Sequence, residues 1–280
     1  MRILIVGANS TLAKEVMPIL ADDNSIVTAG RSGCDIYCDV NEEITFPEGI
    51  HTVINFAAAF GGKDDKEIVD AEKTNSLGAL NICMAAKKAG IKHIVNISSI
   101  FTLLEERSPY FSIYALTKKH GDELARFFCG AHEIPLTIIK PSQIYGDSDD
   151  FAKHQPFFYE MINIAQRGED ITIYGSNDPQ RNFIHCADLA EILKRVVTER
   201  VEGIYACTNP SDVTYSQIAR VAQEVFHAGG ETSFLKYKPD IPNNIFPNDT
   251  SLYEKINYHP TISIEEGIRR IKEHREKGQR

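Results

Sequence analysis

Short apolar runs alternate along the first half of the chain with stretches in which apolar residues recur every three or four positions. Arg2-Ile3-Leu4-Ile5-Val6 is the first run, and after Gly7 the positions Leu12, Val16, Ile19 and Leu20 mark one face of a helix. Ser25-Ile26-Val27-Thr28-Ala29-Gly30 repeats the strand signal, a third short apolar stretch precedes Asp39-Val40, and Thr52-Val53-Ile54-Asn55 gives a further strand. An amphipathic helix is predicted over about residues 65–89, a strand at His93-Ile94-Val95-Asn96-Ile97, a helix from Tyr114 towards Cys129, and another strand around Leu136-Thr137-Ile138-Ile139. Strands alternating with helices in this way predict an α/β fold built on a doubly wound parallel sheet.

Beyond Gly146 the simple repeat breaks. His154-Gln155-Pro156-Phe157-Phe158 precedes a helix, Ile171-Thr172-Ile173-Tyr174-Gly175 leads to Gln180-Arg181-Asn182-Phe183-Ile184-His185, and Gly203-Ile204-Tyr205-Ala206-Cys207 is strand-like. A helix over about 216–226, a Pro- and Asn-rich loop over 238–249 and an amphipathic helix over 263–277 follow, the last opened by Ser263 and Glu266 at capping-box spacing. The expected division is a sheet domain over 1–145 that also receives about 182–207, with 146–181 and 208–280 forming a smaller C-terminal substrate-binding lobe.

Composition narrows the class. The chain has 280 residues, 42% of them hydrophobic, enough for a substantial core. A formal charge of −9, with no Lys/Arg stripe outside the last helix, argues against a nucleic-acid partner. Cys34, Cys38, Cys83, Cys129, Cys186 and Cys207 show neither C-x-x-C nor Cys/His ligand spacing, so no metal site and no disulfide framework is expected. With no apolar stretch of membrane-spanning length and no leader-like opening, a cytoplasmic, membrane-free protein acting on a small molecule is the expectation.

The chemistry concentrates at Ser112-Ile113-Tyr114-Ala115-Leu116-Thr117-Lys118, where one helical turn puts a phenol and an amine on the same face. An ammonium beside a phenol favours the phenolate and is expected to bring an otherwise inert group into working range. Ser98 and Ser99 follow the strand 93–97, and a hydroxyl there could hold the same carbinol oxygen. Ser99 is favoured because it lies nearer the loop, with Ser98 the alternative.

The first strand, tight turn and helix around Gly7, Asn9, Ser10, Thr11 and Leu12 form the unit that binds a pyrophosphate at a helix N-terminus. At the tip of the second strand Arg31-Ser32 stands where an acid would bind a ribose diol, which favours a 2′-phosphate and hence NADP(H), with NAD(H) possible.

Together these segments resemble the extended short-chain dehydrogenases/reductases of the NAD-dependent epimerase/dehydratase type, along essentially the whole chain. The resemblance rests on Tyr114 and Lys118, the serine pair, Lys140-Pro141-Ser142-Gln143-Ile144-Tyr145-Gly146 with Lys in place of Arg, and Arg181-Asn182-Phe183-Ile184-His185-Cys186-Ala187-Asp188. The Gly-x-x-Gly-x-x-Gly loop keeps only Gly7, with Ser10 and Ala13 at the other two positions. The resemblance implies a Rossmann domain whose cofactor lies against Asp39, Val40, Phe56, Ala57, Ala58, Asn75, Lys118 and Pro141. It implies a nucleoside-diphosphate sugar substrate held by Ser99, Tyr114, Gln143, His154 and Arg181, the last on the diphosphate. His185 and Asp188 read as structural, with Asp188 capping a helix, and a homodimer through helices 65–89 and 114–129 is implied.

The leading expectation is reduction of a 4-keto sugar nucleotide by NADPH, with Tyr114 protonating the oxygen. A dehydratase is disfavoured because Ile100 and Phe101 follow Ser99 where carboxylates would be needed. A 4-epimerase with permanently held NAD uses the same three residues and is the alternative; a non-catalytic NADP(H)-binding regulator is the second.

Overall fold

A computed structural model describes residues 1–278 of the chain. Two compact units emerge, Met1–Pro141 with Leu189–Cys207 and Asp249–Tyr258, and Ser142–Asp188 with Thr208–Asn248 and His259–Arg280.

The first unit is built on β1 (Arg2–Val6), β2 (Ser25–Gly30), β3 (Ile36–Tyr37), β4 (Thr52–Asn55), β5 (His93–Ile97), β6 (Leu136–Pro141) and β11 (Gly203–Cys207). They form one sheet in the order β11-β6-β5-β4-β1-β2-β3, every neighbouring pair parallel. The order turns back between β1 and β4, the switch point at whose carboxyl edge ligands bind in such sheets. Ile3, Leu4, Ile5, Val53, Ile54, Val95, Ile138 and Ile139 are completely buried, as strands covered on both faces require. The connecting helices include α1 (Thr11–Ala21), α3 (Gly78–Lys88) and α4 (Ile113–Ala131).

One predicted helix is divided. Residues 65–89 form α2 (Asp65–Glu72), a π-helical turn at Lys73–Leu77, and α3. Periodicity cannot register a single wide turn inserted between two regular helices, and such turns favour functional positions. Here it carries Asn75.

The second unit holds β7 (Gln143–Tyr145), β8 (Ile171–Tyr174), β9 (Gln180–Arg181), β10 (Phe183–His185), β12 (Val213–Thr214) and β13 (Thr232–Leu235), paired as β10-β7, β12-β9 and β13-β8. Its helices are α5 (Pro156–Arg167), α7 (Tyr215–Phe226) and α9 (Ile264–Gly278). Tyr145, Phe158 and Phe183 pack ring on ring at its centre, with Tyr145 and Phe158 centroids 5.0 Å apart.

The segment 182–207, expected to return whole to the sheet domain, splits. Phe183–His185 pairs with β7, whereas β11 extends the main sheet along β6, and α6 (Cys186–Glu199) joins the two strands in sequence. The short helix α8 (Ser251–Ile256) belongs to the first unit, where Arg195 donates to the Ile256 carbonyl. Asp188 is not an N-cap: it lies inside α6, and its carboxylate accepts from the amides of Thr261 and Ile262 at 3.0 and 2.9 Å. The capping box of α9 is half formed. Ser263 accepts from the Glu266 amide, but the Glu266 carboxylate turns to Arg269 and Arg270.

Candidate active site

Gly7 ends β1 with φ +75°, and a Cβ on it would stand 2.7 Å from the Ala57 nitrogen. Only glycine therefore permits the turn. Ser10 is the N-cap of α1, its hydroxyl accepting from the Ala13 amide at 3.2 Å, so its side chain is folded onto the helix end. The Thr11 and Leu12 amides that follow make no hydrogen bond among the described residues, leaving the two donors that a pyrophosphate would take. Asn9 reaches across to the Ser32 carbonyl at 2.7 Å and ties the turn to the tip of β2.

At that tip Arg31 is exposed and unpaired among the described residues. The acid of the following turn, Asp35, is engaged by the Thr28 amide and hydroxyl at 2.9 and 2.8 Å, which hold its carboxyl below the usual carboxylate range. Asp39 is half-buried and closes its own turn by accepting from the Asn41 amide, and Val40 is buried. Phe56 is buried beside the exposed Ala58, with Ala57 half-buried between them. The residues present thus fit a dinucleotide at the β1–α1 turn and the tip of β2.

Tyr114 and Lys118 lie one turn apart in α4, whose N-cap is Ser112. Tyr114 is half-buried under Phe60, the rings stacked at 4.8 Å and 20°. Lys118 is 3% exposed and donates to the carbonyls of Ile97 at 2.9 Å and Ala57 at 3.4 Å. Removal from water disfavours its ammonium and lowers its pKa to about 8, against the opposing field of Asp122.

The phenol behaves differently from the sequence expectation. Burial pushes Tyr114 up to about 12; a hydrogen bond with the Ser99 side chain works the other way, and the Asp122 charge adds to the rise. Desolvation thus outweighs stabilisation of the phenolate. Ser99 and Ser98 separate cleanly. Ser99 bears on Tyr114, while the Ser98 hydroxyl is turned to the Asp122 carboxylate at 2.7 Å.

Asn75, on the π turn, accepts from the Ala59 amide at 2.8 Å and donates to the Ala59 carbonyl and to Thr117 at 2.7 and 2.9 Å. It therefore fastens the loop after β4 to α4, next to Lys118. Asn55, Asn96, Asp122 and Phe60 did not emerge from the sequence reading. Asp122 carried a usable signal, four residues after Lys118 and eight after Tyr114 on one helical face.

In the second unit Gln143 is half-buried and donates to Gln155 at 2.9 Å. His154 is half-buried, its pKa lowered by burial and by Lys153. Arg181 is 3% exposed, donates to the Gln180 and Pro242 carbonyls at 2.7 and 2.9 Å, and lies over the Tyr215 ring at 4.8 Å. His185, fully buried, pairs with Asp147 at 2.9 Å. Pro141 is buried at the end of β6.

The profile of the NAD dependent epimerase/dehydratase family matches residues 3–207. The chain belongs to this family. Among relatives of known function, a UDP-N-acetyl-alpha-D-glucosaminuronate decarboxylase of Bacillus cytotoxicus is 26% identical over 240 residues, 78% of this chain and 74% of that protein. UDP-glucuronic acid decarboxylase 1 of Arabidopsis thaliana is 26% identical over 215 residues, 71% of this chain; the chain spans about half the length of that relative, 48%. The crystal structure of UDP-glucose 4-epimerase from Thermotoga maritima, with UDP-glucose, superposes over 100% of both chains with a TM-score of 0.81 at 18% identity, a likeness of fold.

In this member of the family the glycine loop keeps Gly7 and has Ser10 and Ala13 at the other two positions. No group of His, Cys, Asp and Glu among the described residues is arranged to hold a metal ion, and no helix among them is long and apolar enough to cross a membrane.

Proposed function

We propose that the chain is an NADPH-dependent reductase of a nucleoside-diphosphate 4-keto sugar, with Ser99, Tyr114 and Lys118 carrying the reaction. The observation that supports this most is the meeting of Tyr114, one turn before the buried Lys118 on α4, with the Ser99 side chain. Reduction of a carbonyl needs a proton donor at the oxygen, and a phenol held near 12 is in its donor form throughout the neutral range. A nicotinamide held there would supply the hydride to the carbonyl carbon. Tyr114 Oη gives its proton to the carbonyl oxygen, Ser99 Oγ hydrogen-bonds that oxygen, and the Lys118 ammonium favours the phenolate left behind.

NADP is supported by the unpaired Arg31 at the tip of β2 and by the diversion of Asp35 to Thr28. Gly7, Asn9, Ser10, Thr11 and Leu12 would hold the pyrophosphate, and Asp39, Val40, Phe56, Ala57, Ala58, Asn75 and Pro141 the rest of the dinucleotide. The nucleotide-sugar class is supported by the matched relatives, both named for UDP-linked sugars. Gln143, His154 and Arg181 are the substrate ligands of this reading. Arg181 would exchange its carbonyl partners for a diphosphate. Exposed Ile68, Val69, Leu77, Met84 and Phe127 on the helices of residues 65–88 and on α4 support a homodimer through those faces.

A second reading, a 4-epimerase that keeps its NAD, is favoured by one feature. Ser99 hydrogen-bonds with Tyr114, and a 4-epimerase can work with that single acid-base group. Denaturing the purified protein, identifying any released nucleotide and titrating the native protein with NADPH and NADH decides between them. An empty site that prefers NADPH agrees with the reductase; stoichiometric NAD contradicts it and favours the epimerase. Tight NADPH binding without turnover of any 4-keto sugar would make the chain a cofactor-binding regulator.

A further inference from the structure

Beneath Tyr114 and Lys118 lies a buried polar cluster that the reaction itself does not use. Asp122, 5% exposed, sits one turn beyond Lys118 in α4. Its Oδ2 accepts from Ser98 Oγ at 2.7 Å and faces Lys140 Nζ at 3.3 Å, while its Oδ1 accepts from Asn96 Nδ2 at 3.2 Å. Asn96 in turn accepts from Asn55 at 2.8 Å, and Asn55 accepts from the Ala57 amide at 2.9 Å. The chain of bonds closes on Lys118, which donates to the carbonyls of Ala57 and Ile97.

We propose that Asp122 is a positioning residue for this site: its carboxylate ties the strand end that carries Ser99 to α4 and holds the Lys118 amine in its ammonium form. The inference rests on the assignment of Ser99, Tyr114 and Lys118 to the reaction and adds a group that touches none of the reacting atoms. A buried carboxylate with three donors on it keeps its charge only because they are there. Burial raises its pKa, while Ser98, Lys140 and Lys118 oppose the rise. The charged groups facing Asp122 are Lys118 on its own helix and Lys140 on β6; β5 and the turn after it present only the neutral Asn96 and Ser98. Around Lys118 the ends of β4 and β5 present carbonyls, so Asp122 is the charge that offsets its burial. Ser98 is adjacent to Ser99, so a shift of the Ser98–Asp122 bond moves the hydroxyl on Tyr114.

The test is a titration of the full chain carrying 13C at lysine Cε, followed by NMR, with Lys118 assigned by Lys118→Arg. In Asp122→Asn the Lys118 midpoint should fall by about one pH unit or more, and Asp122→Glu should return it towards the wild-type value. Asp122→Asn with Lys140→Met replaces the ion pair by a neutral pair, which tolerates folding better than a buried unpaired charge. In that double variant the midpoint should stay low. An unchanged midpoint in Asp122→Asn, or a wild-type midpoint in the double variant, would overturn the inference. Failure of the functional reading looks different: the Lys118 midpoint still falls in Asp122→Asn, but the wild-type chain turns over no nucleotide sugar.

Discussion

Gly121 of α4 lies directly against the Asn75 carbonyl, so close that a Cβ on it would stand 2.2 Å from that oxygen. The wide π turn and the bare helix position together let Asn75 reach Thr117 and hold α4 beside Lys118. In an ordinary helix interior, Gly to Ala gains about 1 kcal/mol. Here the added methyl meets backbone that cannot yield without moving the turn. Gly121→Ala is expected to lower stability by about 1–3 kcal/mol in denaturant unfolding; a gain would refute the packing described.

The two serines predict phenotypes of different balance, turnover first for Ser99 and stability first for Ser98. Ser99→Ala removes a hydrogen bond at the reacting oxygen, and turnover is expected to fall by about 10²-fold; it also removes the acceptor of the Phe101 amide, at 3.2 Å, and should cost about 1 kcal/mol of stability. Ser98→Ala leaves the buried Asp122 short of a donor and should cost about 1–3 kcal/mol of stability. Steady-state kinetics and chemical unfolding of the two variants side by side check both.

Gly7→Ala should abolish dinucleotide binding. The substitution forces a positive φ on alanine and drives its Cβ to 2.7 Å from the Ala57 nitrogen, at the point where β1 and β4 end side by side. Loss of NADPH binding in a calorimetric titration is the expected result.

His93 makes the protein sensitive to acid. The ring is buried, its Nε2 meets Thr137 at 2.7 Å, and its Nδ1 has no partner. Thr137 gives its own proton to Val201, so Nε2 is the donor and protonating Nδ1 would bury an unmatched N–H. Burial, aided by Arg200, pushes the pKa down to about 4 from 6.5. Below 6.5 the unfolded chain binds a proton that the native ring refuses, so stability falls as pH drops from 6.5 to 4, by about 3 kcal/mol in all. His93→Gln should flatten that segment of the stability curve measured by denaturant unfolding.

Much of the sheet was legible because strands buried on both faces show as near-continuous apolar runs, as in Ile3-Leu4-Ile5-Val6. Tyr114 and Lys118 were legible for a different reason, since helical spacing alone sets them on one face. What sequence could not show is how polar groups are satisfied through space. Asn75 and Asp122 depend on partners 42 and 24 residues away, Thr117 and Ser98. Asp188 read as a cap from its place before an apolar stretch, but its acceptor capacity is spent on Thr261 and Ile262, 73 and 74 residues further on. The direction of the Tyr114 shift was missed because spacing reports the neighbouring amine and not the burial that outweighs it.

The central claim, proton donation from Tyr114 during hydride transfer to a nucleotide sugar, is tested most directly by mixing wild-type protein and Tyr114→Phe with NADPH and a panel of nucleoside-diphosphate 4-keto sugars while following the nicotinamide absorbance. The wild type should oxidise NADPH with one of them. Tyr114→Phe should bind NADPH with unchanged affinity and turn over about 10²–10⁴-fold more slowly. Undiminished turnover by Tyr114→Phe would contradict the assignment.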